Sequence, residues 1–258
     1  MKSLFVAWRP ATPEQTGWRP VGRLEHDGHV YRFWYTQGAR KPGFQPFTQM
    51  EDLNTVYESD ELFPLFANRL LSRSRPEYEA YLRWGGFDIG PPPDPIVVLG
   101  VTEGIRQTDA VEVFPCPVPD AEGCYRNKFF LHGLGWLPAT ALERIQRLQH
   151  DEPLKLMADL QNDVDPHAVA VRTAADRMMI GYVPRYLAHD VWHLIRQCDM
   201  SFIHLQVDRV NVDAPLQNRV LCRMRACWPE GFRPCSGEDF APIPADLPSD
   251  CIGSVGRQ

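Results

Sequence analysis

The chain has 258 residues, 44% of them apolar and 23% charged, with a formal net charge of −6. That apolar content excludes a wholly disordered protein, and at about 100–200 residues per domain the length suits two compact units. The charge argues against a broad basic face gripping duplex phosphates. No run approaches the ~18 apolar residues of a membrane span, and the apolar start is too short for a signal-peptide core, so a cytoplasmic protein with no membrane partner is expected.

In chain order, residues 17–36 predict a hairpin, with the turn pair Asp27-Gly28 between two alternating stretches. Tyr31, Phe33 and Tyr35 then share one face, which reads as core. A Gly- and Pro-rich loop at 38–46 precedes a helix signal, Ser59-Asp60-Glu61 ahead of Leu62, Phe63, Leu65, Phe66 and Leu70. A second short helix is expected at 76–84, ended by Gly85-Gly86. The run GPPPDP at 90–95 interrupts both helix and ladder hydrogen bonding and predicts a linker. Two short strands are expected at 96–101 and 110–114. Across 91–123, Arg106 faces six acids, so most of the negative excess lies there.

From 128 the pattern becomes mostly β. A strand is expected over 128–137, a helix at 141–149 behind a capping box from Thr140 to Glu143, and strands at 154–157, 167–173 and 178–183. Leu187, Val191, Trp192, Leu194 and Ile195 recur at helical spacing in 185–197, and strands at 202–210 and 220–226 follow. The fold class expected is α+β, mainly β, divided as 1–88, a Pro-rich acidic linker or bridging module at 89–123, a β unit at 124–235, and a mobile tail at 236–258.

Independent signals for chemistry are few. Seven cysteines include no CxxC pair, and Cys222, Cys227 and Cys235 lack the hook of a zinc finger, so free thiols are expected and no secretory disulfide framework. No phosphate loop, GxGxxG, HExxH or GxSxG occurs. His189 and His193, at i, i+4 with Asp190 between them, offer a metal pair without the glutamate of HExxH; a solvated helix face accounts for them as well. Cys124 and His132 have no support as nucleophile and base. No enzyme, metal or cofactor is expected.

The informative segment is LQNDVDPHAVAVRTAADRMMIGYVPRYLA, 160–188. Asn162, Asp165, the alternation Ala168-Val169-Ala170-Val171 and then Ile180-Gly181-Tyr182-Val183-Pro184 resemble the HIRAN domain, and FFLHGLGW at 129–136 resembles its first strand. The resemblance implies an OB-like β-barrel with helices that binds DNA, in the best studied case a single-stranded 3′ end, for a helicase or nuclease. Carried over residue by residue, it implies that Trp136 stacks a terminal base, Asp165 accepts from a 3′ hydroxyl, Asn162 touches the backbone and Tyr182 lines the pocket. His167 stands where the family has Asn, and Arg185 is a nearby cation for phosphate. Val164 replaces a second stacking aromatic and Gly135 a basic residue, which weakens end capture. A plainer account exists for each: Asn162 and Asp165-Pro166 are ordinary turn formers, and Trp136 and Tyr182 could plug a barrel.

Residues 21–24, the aromatic strand and LFPLFANRLL at 62–71 resemble the small amino-terminal subdomain of HipA-type toxin kinases, without the kinase motifs. That resemblance implies an alternative function, an antitoxin-like regulator docking on a HipA-like kinase through Phe63, Phe66 and Leu70. The leading expectation is a non-catalytic adaptor whose HIRAN-like half recognises single-stranded or damaged DNA ends.

Overall fold

The computed structural model describes residues 2–9, 18–88, 90–106, 110–120, 122–227, 229–245 and 247. In chain order the elements are β1 (Lys2–Trp8), β2 (Arg19–His26), β3 (Tyr31–Tyr35), β4 (Tyr57–Ser59), α1 (Pro64–Ala67), α2 (Tyr78–Trp84), α3 (Pro95–Thr102) and β5 (Val111–Pro115). Then come β6 (Cys124–Phe130), α4 (Ala139–Gln146), β7 (Pro153–Ala158), β8 (Val169–Thr173), β9 (Met179–Tyr182), α5 (Arg185–Gln197), β10 (Ile203–Val210) and β11 (Val220–Cys227). The fold is mostly β with helices, as expected.

Two compact units interleave along the chain: Met1–Leu70, Asp94–Val118 and Cys235–Gln258 make one, Leu71–Pro93 and Pro119–Pro234 the other. The acidic 94–118 stretch is thus part of the first unit, and 71–93 part of the second.

The first unit is built on an antiparallel sheet ordered β4-β3-β2-β1-β5. Its hairpin forms as expected: the Asp27 carboxylate accepts from the backbone N–H of His29 and Val30, both at 2.9 Å, while Gly28 takes φ +110°. Tyr31, Phe33 and Tyr35 share a core with Val6, Leu24, Phe66 and Leu99. On the sheet, Arg23 and Glu25 form a buried ion pair at 2.6 Å, and the guanidinium lies over the Phe5 and Trp34 rings.

Several elements differ from expectation. The segment 96–101 is helical, not extended, because Asp94 caps it by accepting from Ile96 N–H at 3.0 Å and Pro95 occupies the first helical position. The helix expected over 62–70 shrinks to the single turn α1, set by Pro64, and Ser59 ends β4 instead of capping. Phe66 is fully buried, and Phe63 and Leu70 pack on the same core. These three residues, carried over as partner-binding, contribute to the core of the unit, Phe63 and Leu70 with part of their surface exposed. The tail expected to be mobile is tied down in its described part: Thr36 bridges Pro242, Ile243 N–H donates to Tyr35 O at 2.9 Å, and Phe240 packs edge-on against Phe5. The rest of that expectation, 246 and 248–258, lies outside the described residues.

The second unit carries a six-stranded antiparallel sheet ordered β6-β11-β10-β7-β8-β9. Its two edges meet just past β6: His132 and Tyr182 exchange backbone hydrogen bonds, both at 2.9 Å, so the sheet curls toward closure. Closing a sheet removes exposed ladder groups at its edges. Leu187, Val191 and Leu194 of α5 are fully buried, as are Phe129, Val169, Val171, Ile180 and Leu221 of the strands. The expected capping box is absent, since α4 begins after Pro138 with no side-chain cap. In α2, Trp84 donates from its indole N–H to Asp213 at 3.2 Å, and Asn211 Nδ2 donates to Trp84 O at 3.0 Å.

Candidate functional site

At the point of barrel closure the chain needs unusual backbone. Gly133 sits at φ +75°, and a Cβ there would meet the Tyr182 ring at 3.0 Å; Gly181 sits at φ +147°, where a Cβ would lie 2.9 Å from His132 O. The glycines let β9 and the segment after β6 approach, which seats the Tyr182 ring against Gly133. The strand expected over 128–137 accordingly stops at Phe130, and Trp136 ends a single 3-10 turn, Leu134–Trp136. Its indole is 93% exposed. A side chain this free plugs no barrel, so the core account of Trp136 is set aside.

Tyr182, by contrast, is half-buried and aims its hydroxyl at Asp159, donating to Oδ2 at 2.9 Å. Burial and the Asp159 carboxylate raise its pKa above the ordinary tyrosine value. Asn162 donates to the same oxygen at 3.1 Å, and the two donors, Asn162 first, hold Asp159 below the usual carboxylate range. Asp159 was missed from sequence; its spacing three residues ahead of Asn162 is a turn signal that does not distinguish a hub from a loop.

Asn162 also accepts from the backbone N–H of Val164 at 3.1 Å and of Asp165 at 3.0 Å. Its amide is spent on shaping the 159–168 loop. Asp165 is mostly buried: Oδ1 accepts from His167 N–H at 2.9 Å, and Oδ2 lies 3.3 Å from Arg185 Nε. Arg185, the first residue of α5, reaches on to the Val164 carbonyl. The loop is thereby clamped to the helix, and each Asp165 oxygen keeps a further lone pair. Val164, at the loop tip, is exposed, as are Leu160 and Asp163.

His167 turns toward α5, edge-on to His189 at 4.9 Å and to Trp192 at 5.2 Å between ring centroids. His189 and His193 face each other with Nε2 atoms 3.3 Å apart. The Asp190 carboxylate beside His189 raises its pKa, whereas burial and the neighbouring His189 lower that of His193. Among the described residues, one trio brings three potential ligand atoms within 4.8 Å of one another: Asp120, Glu122 and Cys124. Its carboxylates already serve Arg126, Arg225 and the backbone N–H of Glu122 and Cys124.

The exposed Trp136, the Tyr182–Asp159–Asn162 hub and the Asp165–Arg185 clamp therefore lie on consecutive parts of one curled sheet and its loops. Residues 126–225 match the HIRAN domain family. The matched segment spans β6 to β11 and contains all six residues carried over to the site: Trp136, Asn162, Asp165, His167, Tyr182 and Arg185. Two solved structures are also similar to the chain. The HIRAN domain of human HLTF aligns at 16% identity and TM-score 0.30, over 40% of this chain and 74% of that one. A protein from Lactobacillus plantarum aligns at 14% identity and TM-score 0.32, over 40% of this chain and 99% of that one. No curated protein matches in sequence. Nothing in these comparisons supports the HipA resemblance of residues 1–88.

Proposed function

We propose that the HIRAN domain binds DNA at single-stranded or damaged ends, as a non-catalytic module acting for a separate effector such as a helicase or nuclease. The observation that carries this reading is Trp136, a large aromatic 93% exposed on a turn held by the barrel closure. Leaving an indole in water costs hydrophobic free energy and is repaid when a base stacks on it, at about 1–3 kcal/mol per base.

The 159–168 loop suits an end better than a continuous strand. Asp159, Asp163 and Asp165 place carboxylates where a strand's internal phosphates would be repelled, whereas a terminal hydroxyl can donate to one. Arg185 offsets the Asp165 charge, and the remaining lone pair on Oδ2 is the acceptor. With Val164 at the tip, the domain stacks fewer bases than a two-aromatic site would.

The experiment is competition between oligonucleotides of one sequence ending in 3′ hydroxyl or 3′ phosphate, with duplex and RNA arms, at fixed salt because salt alone moves such affinities by orders of magnitude. Preference for the 3′ hydroxyl single strand, with binding weakened in Trp136→Ala, supports the proposal. Equal binding of both ends sinks end recognition, and no binding of any arm sinks the nucleic-acid reading.

A further inference from the structure

We propose that Cys124 and Cys227 form a reversible disulfide that joins the first and last strands of the HIRAN domain. The two residues stand directly opposite one another in the antiparallel β6–β11 pair, and their Sγ atoms are 3.8 Å apart. Directly opposed antiparallel residues have Cα atoms about 4.5–5.5 Å apart, inside the range a disulfide spans, so side-chain rotation closes the bond without moving the strands.

The pair is chemically asymmetric. Cys227 is exposed and Cys124 buried, so an oxidant reaches Cys227 first and Cys124 resolves the product. Burial and the Cys227 thiol push the Cys124 pKa up, opposed by the Arg225 guanidinium 3.2 Å from its Sγ. With a peroxide as oxidant, the Cys227 thiolate attacks one oxygen, the O–O bond breaks and hydroxide leaves to become water. The resulting sulfenic acid is attacked by Cys124, the S–O bond breaks and a second water leaves. Two thiols lose two hydrogens, the peroxide becomes two waters, and a dithiol reverses the oxidation by exchange.

Two other thiols in this unit compete poorly. Cys222 is fully buried, which pushes its pKa far up, and Cys198 spends its S–H on the Cys227 carbonyl at 3.2 Å. The bond would enclose the whole 126–225 segment, with Trp136, the 159–168 loop and Arg185 inside one covalent ring. Oxidation thus constrains the barrel where β6 begins and β11 ends.

The test treats the full chain with hydrogen peroxide, alkylates remaining thiols and maps non-reduced peptides by mass spectrometry. The expected product is a Cys124–Cys227 cross-link, kept in Cys198→Ser, lost in Cys227→Ser and removed by dithiothreitol, with a higher urea midpoint in the oxidised form. A Cys198–Cys227 cross-link, or Cys227 over-oxidised to sulfinic acid while Cys124 is still alkylated, overturns the proposal.

Discussion

Replacing Gly181 by alanine strikes the point at which the sheet closes. Two costs add there. At φ +147° an L-residue is held in a region that costs about 1–3 kcal/mol, and the new methyl would lie 2.9 Å from His132 O and 3.1 Å from Leu131 Cβ and Leu134 Cδ1. The first neighbour is backbone and belongs to the hydrogen-bonded bridge with Tyr182, so it cannot swing aside; overpacking of that kind costs about 1–3 kcal/mol more. The sum, about 2–6 kcal/mol, is a large part of the about 5–15 kcal/mol that holds a typical domain. Urea unfolding followed by tryptophan fluorescence should show a midpoint lowered by about 0.7 M or more, given slopes of about 1–3 kcal/mol per molar. Gly135→Ala, in the same segment but with no atom near its Cβ, is the control and should be neutral. A Gly181→Ala cost within about 0.5 kcal/mol would refute the view that this glycine permits closure.

Other outcomes follow from the same geometry. Trp136→Ala should weaken single-strand binding by about 1–3 kcal/mol and leave the urea midpoint unchanged, whereas Val164→Tyr should tighten binding; titrations with labelled oligonucleotides read both. Asp165→Asn should erode discrimination between 3′ hydroxyl and 3′ phosphate ends, measured by competition at one salt concentration. Because the Asp159 pKa is lowered on folding, its stabilisation is present above its ordinary 3.8 and lost as pH falls through the lower folded value; Asp159→Asn should flatten the acid limb of the urea midpoint against pH. Glu25→Ala, which removes the carboxylate paired with the buried Arg23 guanidinium, should cost up to about 3–5 kcal/mol by chemical denaturation.

Local signals read well. The Asp27-Gly28 turn, the Tyr31, Phe33 and Tyr35 face and the apolar stripe of α5 are each specified by neighbours in sequence, and each formed as expected. The run from Ile96 to Val101 is apolar on every side, so periodicity could not separate helix from strand, and only Asp94-Pro95 carried the helical signal. Trp136 was expected on a strand because nothing local distinguishes strand from turn there until Gly133 is seen to meet Tyr182. The site residues were named through a family resemblance, but their partners were not: Asp159 joins Tyr182 across 23 positions, and a bond of that span leaves no mark on either neighbourhood. Phe66 illustrates the reverse, since an apolar residue at helical spacing suits a docking face and a core equally until the packing around it is known.

The interleaving of the two units sets an order of events during synthesis. The chain crosses between them at 70–71, 93–94, 118–119 and 234–235. The sheet of the first unit has all five strands once residue 115 has left the ribosome, yet Phe240, which covers Phe5, and Ile243, which bonds Tyr35, follow more than a hundred residues later. At about 5–20 residues per second that is a wait of several seconds, during which the 126–225 segment is made and can fold. The packing around the strands of the first unit is therefore completed only after the strands of the second are made, and a chain stalled before residue 240 exposes the face of Phe5 to the crowded surroundings of the nascent chain.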